Sequence, residues 1–240
     1  MADSLTGVNL RPYYVAFLDV LGFTEMVNQD SKGSKQENLK KLFRCHQSAS
    51  SIFRDDVECS IVQFSDSIVI SMPYSAEKFV WFMKRVADYQ RFLLDEHLVC
   101  RGGIAVNKHF SNGTFTFSAG LIDAYRVESK SARYPRVVVS KEVLDLVFPN
   151  GKKAPKQLIE EDDGLFFIDY IGMTKNKKPK HLIEAIEIVT RDLVDSTNAS
   201  VKEKGVWLAA YSDSVLNTNF SRPRFIFNGT SAISKSSISD

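Results

Sequence analysis

Hydrophobic positions along the chain switch between two periods, and the switches mark its elements. Tyr13 to Val20 is a continuous strand-forming run with Pro12 at its start, where a missing N–H is tolerated, so a strand is predicted there. From about Thr24 the period becomes helical. Leu39, Leu42, Phe43, His46 and Ala49 recur at helical spacing, and Lys32-Gly33-Ser34 interrupts the segment, which predicts a helix in two parts. Val57 to Phe64 and Ser67 to Met72 are β-rich and separated only by Ser65-Asp66, the spacing of a tight hairpin. Ser75 to Glu96 carries a helical stripe of Phe79, Phe82, Met83, Val86, Tyr89, Gln90 and Leu93 behind a cap at Ser75. Leu98 to Asn107 returns to strand and Asn112-Gly113 marks a turn. Thr114 to Phe117 reads as a short strand or loop, Leu121 to Ala132 as helix, and Pro135 to Val139 as strand.

The order strand, helix, hairpin, helix, strand, helix, strand describes an α+β sandwich of ferredoxin-like type, with helices on one sheet face. Beyond it, Lys152 to Asp163 reads as a polar loop, Leu165 to Ile171 as a further strand, and Leu182 to Leu216 as two helices. The tail from Ser231, SAISKSSISD, is expected to fray. At 240 residues one domain is expected: residues 1–150 as the core, 151–230 as a strand and helices packed on that domain, and 231–240 as a flexible tail.

Composition narrows the classes. Apolar content of 44% and charged content of 25% belong to a globular chain. The balance of 31 basic and 29 acidic residues leaves a charge of +2, too small for nucleic-acid binding by phosphate neutralisation alone. Cys45, Cys59 and Cys100 are an odd number without paired spacing, which suggests neither a disulfide framework nor a zinc site and suits a reducing cytoplasm. The opening MADSLTGVNL has no charged n-region and no apolar h-region, and no apolar run reaches the length of a membrane span. A cytoplasmic protein without membrane attachment is the expectation.

Candidate chemistry begins in YYVAFLDVLGFTEMV, residues 13–27, where Asp19 closes a strand just before a glycine turn. In the predicted fold the first strand and the hairpin lie side by side, so Asp19 and Asp66, 66 − 19 = 47 residues apart, can converge at one sheet edge. Two carboxylates that close repel and raise each other's pKa unless a hard divalent cation lies between them, and Mg²⁺ or Mn²⁺ is the natural occupant. Val20-Leu21-Gly22-Phe23-Thr24 then leads into a helix whose free N–H groups and positive dipole end favour phosphate oxygens. Taken alone, an Asp at a strand end is more often a cap or turn residue than a ligand. His46, His97, His109 and His181 are scattered without ligand spacing, and Trp81 and Trp207 sit among apolar residues as core or interface anchors.

AFLDVLGFTEMV together with FSDSIVIS resembles the two metal-binding segments of the class III nucleotidyl cyclases. CRGGIAV, SAGLIDAYRVESKSA and PRVVVS are similar to the family's next strand, its catalytic helix and the strand after it, so the resemblance spans roughly Tyr13 to Ser140. More narrowly, DVLGF, RGGI, AYRVES and YPRVVVS resemble the bacterial pyrimidine cyclases of antiphage defence.

The resemblance implies that Asp19 and Asp66, with the carbonyl of Val20, hold two Mn²⁺ or Mg²⁺ ions, while the amides of Leu21, Gly22, Phe23 and Thr24 meet the phosphates. It implies in-line attack of the ribose 3′-hydroxyl on the α-phosphate and release of pyrophosphate. UTP is the first substrate expected and CTP the alternative, with the cyclic product read by a separate effector protein. A homodimer with composite sites is also implied. Purine cyclases read adenine with a lysine on the hairpin strand and an aspartate before the catalytic helix; Val62 and Phe115 stand at those positions here. Arg126 matches the family's transition-state arginine, whereas Ile122 stands where an asparagine is expected. Arg101 is a second candidate source of positive charge, ahead of Arg133 and Arg136. The rival reading is a catalytically silent cyclase-like module that binds a nucleotide.

Overall fold

Arg11–Val20 forms β1, the centre of an eight-stranded sheet in the computed structural model, which describes residues 8–52, 59–149 and 153–223. β1 is an uninterrupted apolar run because both its faces are covered. Tyr14, Ala16, Leu18 and Val20 point into the main core, and Val15 and Phe17 into a smaller one on the opposite side. Two helices follow, α1 (Phe23–Lys32) and α2 (Glu37–Ile52), divided at Gly33 as the interruption predicts. The hairpin is β2 (Ser60–Phe64) and β3 (Ser67–Pro73), joined through Ser65 and Asp66; the expected start of its first strand at Val57 and Glu58 lies outside the described residues. Next come α3 (Phe79–Asp95), β4 (Cys100–Ser111), β5 (Thr116–Ser118), α4 (Ala119–Ser131) and β6 (Val137–Val139).

The strands run β2-β3-β1-β4-β6-β8-β7 across the sheet, with β5 added on β4. The first four are mutually antiparallel, which is the ferredoxin-like order, and β4 and β6 are parallel, joined by the α4 crossover. The α+β sandwich anticipated from the sequence is present.

Several local expectations need correction. Helices cover both sheet faces: α2 and α3 pack on the main core, while α4 packs on the other face through Ala124 against Val15, Phe17 and Ala105. Ser75 makes no side-chain cap, because a short 3₁₀ turn at Ala76–Lys78 comes before α3. Ser140 accepts from the Val143 N–H and caps α5 (Lys141–Val147), a helix the apolar pattern did not announce. The polar segment 152–163 contains β7 (Leu158–Glu160), held by pairing to β8 (Phe166–Ile168). The strand expected to reach Ile171 stops at Ile168, since the Asp169 carboxylate caps α6 (Tyr170–Thr174). The two predicted C-terminal helices are α7 (Pro179–Val194) and α8 (Ala199–Leu216). The expected frayed tail lies outside the described residues. Among the described residues no helix is long and apolar enough to cross a membrane.

Candidate active site

Antiparallel register decides what gathers at the end of β1. Asp19 stands opposite Ser67 of β3 on one side and Arg101 of β4 on the other. Directly opposed residues on an antiparallel pair point to the same face, so Asp19 and Arg101 meet without any loop rearrangement. Asp66 is delivered by the β2–β3 link, where Ser65 takes a left-handed φ of 56°. The Asp66 carbonyl accepts from the Val20 N–H at 3.0 Å, which fastens the hairpin tip to the last residue of β1. The carboxyl groups of Asp19 and Asp66 are thereby neighbours at this end of the sheet, near enough for each charge to act on the other.

The Arg101 Nε donates to Asp19 Oδ2 at 3.0 Å and lies 2.8 Å from Glu128 Oε1. Glu128 comes from α4 and is only 2% exposed. Close approach of that helix is possible because Gly103 has no side chain: a Cβ there would lie 2.7 Å from the Glu128 N and against the Ala124 carbonyl. Burial pushes the Asp19 carboxyl above the ordinary carboxylate range, Asp66 adds to the shift, and Arg101 opposes it. Glu128 is raised for the same reasons, burial first, with Asp19 and Asp66 adding and Arg101 opposing. Burial also lowers Lys204 of α8, assisted by the nearby charges of Arg101 and Arg133. The site therefore holds more negative charge than one arginine neutralises, in surroundings that penalise ionised acids.

After Val20 the chain turns into α1. The Leu21 N–H donates to the Val99 carbonyl at 2.9 Å, so the amide the resemblance assigned to phosphate is already spent, and Leu21 is withdrawn as an amide donor. Gly22 takes φ 80°, the left-handed region, and offers no side-chain cap. The N–H groups of Gly22, Phe23 and Thr24 thus open the helix with no intrahelical acceptor. They form a short amide row beside the acidic pair.

An oxygen donor set of two carboxylates fits a hard divalent cation. Asp66 adds to the raised pKa of Asp19, and the Arg101 guanidinium is drawn onto Asp19, so a positive group is accommodated beside the two acids. Among the described residues no group of three or more His, Cys, Asp or Glu side chains could enclose a metal ion. A site of this kind suits Mg²⁺ or Mn²⁺ shared with a substrate's phosphates, because those ions are commonly held by only one or two protein carboxylates. Asp19, Asp66 and the Val20 carbonyl would be the protein's ligands.

The other anticipated residues are dispersed. Val62 of β2 stands opposite Val69, which stands opposite Phe17, so it faces the α4 side of the sheet. Phe115 is more than half exposed at the tip of the β4–β5 hairpin, near Phe110. Arg126 pairs with Asp123 at 3.1 Å on the outer side of α4, where Ile122 and Tyr125 are also exposed. Two residues along a helix is a rotation of about 200°, so Arg126 faces away from the cluster that Glu128 faces. Arg136 is buried and bound to Glu161, Asp163 and the Ser131 carbonyl, and Arg133 is engaged by Glu203. Arg136 anchors structure, whereas the Arg133–Glu203 pair lies at the surface.

Sequence reasoning missed Glu128. The only local signal for Glu128 was the glycine pair in RGGI, since a glycine inside a strand often marks where another backbone approaches closely.

No family model matches this sequence, and no curated protein sequence does. Solved structures of nucleotide cyclases align with the fold at low identity. The adenylyl cyclase CyaB from P. aeruginosa is 15% identical over 67% of this chain and 94% of its own, with a TM-score of 0.49. The guanylyl cyclase Cya2 is 13% identical over 67% of this chain and 92% of its own, with a TM-score of 0.46. The monomeric guanylyl cyclase domain of the RhoGC fusion protein from the aquatic fungus Blastocladiella emersonii is 13% identical over 67% and 95%, with a TM-score of 0.46.

Proposed function

We propose that this chain is a nucleotidyl cyclase that converts UTP into 3′,5′-cyclic UMP and pyrophosphate, acting as a homodimer in antiphage signalling through a separate effector. The observation that carries the reading is the meeting of Asp19 and Asp66, from separate strands, beside a glycine turn whose amides open a helix.

In this mechanism Asp19, Asp66 and the Val20 carbonyl are the protein groups that would hold two divalent ions beside the triphosphate. When bound, those ions would lower the pKa of the ribose 3′-hydroxyl and neutralise charge on the departing pyrophosphate. The amides of Gly22, Phe23 and Thr24 orient phosphate oxygens, a role supported by their lack of intrahelical acceptors. The 3′-oxygen forms its bond to the α-phosphorus as the bond from that phosphorus to the bridging oxygen breaks. The hydroxyl proton leaves to solvent and pyrophosphate departs. Arg126, exposed on α4, reaches a substrate held by the acidic pair of a second copy, so two sites form across a two-fold axis. Val62 and Phe115 carry no charge where purine cyclases place their adenine readers, which supports a pyrimidine.

Incubating the purified protein with each of the four nucleoside triphosphates and Mn²⁺ tests this directly. Cyclic UMP is the expected product, and Asp66→Ala should lower its rate at least ~10²-fold with an unchanged circular dichroism spectrum, since preorganised charge is lost while the core is untouched. Cyclic CMP would transfer the reading to a cytidylate cyclase, and a cyclic product from ATP alone would refute the pyrimidine assignment. The apolar Ile122, in place of a polar group, favours a second reading, a silent nucleotide-binding module. Nucleotide binding without turnover would establish that one instead.

A further inference from the structure

One guanidinium nitrogen serves two carboxylates at this site. Nε of arginine carries a single hydrogen, and that of Arg101 is directed at Asp19 Oδ2, 3.0 Å away. Glu128 Oε1 lies still closer, at 2.8 Å, yet among the described residues it receives no hydrogen bond while Glu128 is 2% exposed. A buried carboxylate oxygen without a donor is costly, and the group that would satisfy it is already within reach. Neither carboxylate is free to move far. Asp19 is fixed by strand pairing on both sides, and Glu128 sits where the backbones of α4 and β4 touch at Gly103. A small turn of the Arg101 side chain is therefore the movable part.

We propose that Arg101 is a built-in counter-ion for the Asp19–Asp66 pair in the absence of a divalent cation, and that Glu128 is the positioning carboxylate that takes Arg101 over when a cation arrives. This rests on the reading of Asp19 and Asp66 as cation ligands. In the cation-free state Arg101 offsets the repulsion between two acids that burial already disfavours. When a cation displaces it from Asp19, the guanidinium needs a partner, and Glu128 supplies one whose own unmet oxygen is then satisfied. Arg101 consequently competes with the metal, Glu128 favours the metal without touching it, and metal entry switches one ion pair for another. Glu128 is not needed as a ligand: among the described residues no three acids are placed to enclose an ion.

The test uses the full chain and Mn²⁺ alone, without nucleotide, with free Mn²⁺ followed by electron paramagnetic resonance. Arg101→Gln should bind Mn²⁺ at least ~10-fold more tightly than wild type, since a competitor is removed. Arg101→Lys, which keeps the charge, should stay near the wild-type affinity. Glu128→Gln should weaken binding several-fold, and that weakening should vanish in the Arg101→Gln background, because Glu128 acts only through Arg101. Unchanged or weaker binding in Arg101→Gln overturns the proposal. So does a Glu128→Gln effect that persists without Arg101, which would make Glu128 a direct ligand.

A readout that needs no substitution at Arg101 guards against a variant that fails to fold. In wild type the Arg101 Nε–H resonance should move on titration with Mg²⁺, and at saturating Mg²⁺ it should reach a different position in Glu128→Gln, where the charged partner is missing; a resonance that stays still, or the same end position in both proteins, overturns the switch. Wild type that takes up neither ion removes the ligand reading itself, and this proposal with it. Normal wild-type uptake with no dependence on Arg101 removes the proposal alone.

Discussion

Gly103 shows how one missing carbon positions the site. A Cβ at that residue would press on the Ala124 carbonyl and lie 2.7 Å from both the Glu128 N and the Val127 Cβ, so the helix backbone itself would have to retreat. Gly103→Ala is therefore expected to cost on the order of 1–3 kcal/mol, as overpacking does in a close-packed interior. Gly113 is a useful control, since nothing lies within 4 Å of a Cβ placed there and only its φ of 89° resists substitution. Urea unfolding midpoints compare the two, with Gly103→Ala expected to fall further and to lose Mn²⁺ affinity as Glu128 is displaced. The convergence of Asp19 and Asp66 was legible from sequence because a strand and a tight hairpin that local pattern defines place them side by side. Glu128 was not, because its place depends on which turn of α4 faces which residue of β4, a fact of packing rather than of periodicity. The Leu21 amide was misassigned for a related reason: a strand pattern does not say that the first residue after β1 hands its N–H to the Val99 carbonyl.

Among the elements, the β4–β5 hairpin and the start of α4 share one hydroxyl. Ser118 Oγ accepts from the Leu121 N–H at 2.8 Å, capping α4, and lies 2.7 Å from His109 Nδ1. His109 is buried, its Nε2 has no partner among the described residues, and burial holds its pKa below the ordinary 6.5. The folded state thus prefers the neutral ring, while the unfolded state takes up a proton near the ordinary value. The resulting stability is complete above about pH 6.5 and is lost as pH falls through the folded pKa. Thermal unfolding across that range should show wild type losing stability on acidification more steeply than His109→Gln, which has no proton to take up. Parallel slopes would leave the ring without this role. Elements with a long hydrophobic run or stripe, such as β1, α3 and α7, were readable in advance. The short α5, α6 and β7 were not, since three to seven residues carry too little periodicity and are set by a cap or by a neighbouring strand.

For the whole molecule, the distribution of functional groups over one chain is unequal. The acids lie at the sheet end, while Arg126 points outward from α4 together with Ile122 and Tyr125, each 53% exposed, and Phe117, 61% exposed, precedes them on β5. Apolar side chains set on consecutive elements around the Arg126–Asp123 pair are the composition of a protein interface rather than of a solvated face. If a second copy covers this surface, each site takes its acids from one protomer and its arginine from the other. Subunit mixing makes this quantitative. Asp66→Ala and Arg126→Ala should each be nearly inactive alone. Mixed in equal amounts and allowed to exchange, half of the dimers become heterodimers, and in each of these one site has both defects while the other has none. Recovery of about one quarter of the wild-type rate is the expected outcome by that counting. Phe117→Asp in both chains should prevent recovery and shift sedimentation toward the monomer, because a desolvated carboxylate at the contact opposes association. Two inactive variants that stay inactive when mixed, while sedimentation shows exchange, would instead place both groups in one protomer's site and dismantle the composite arrangement.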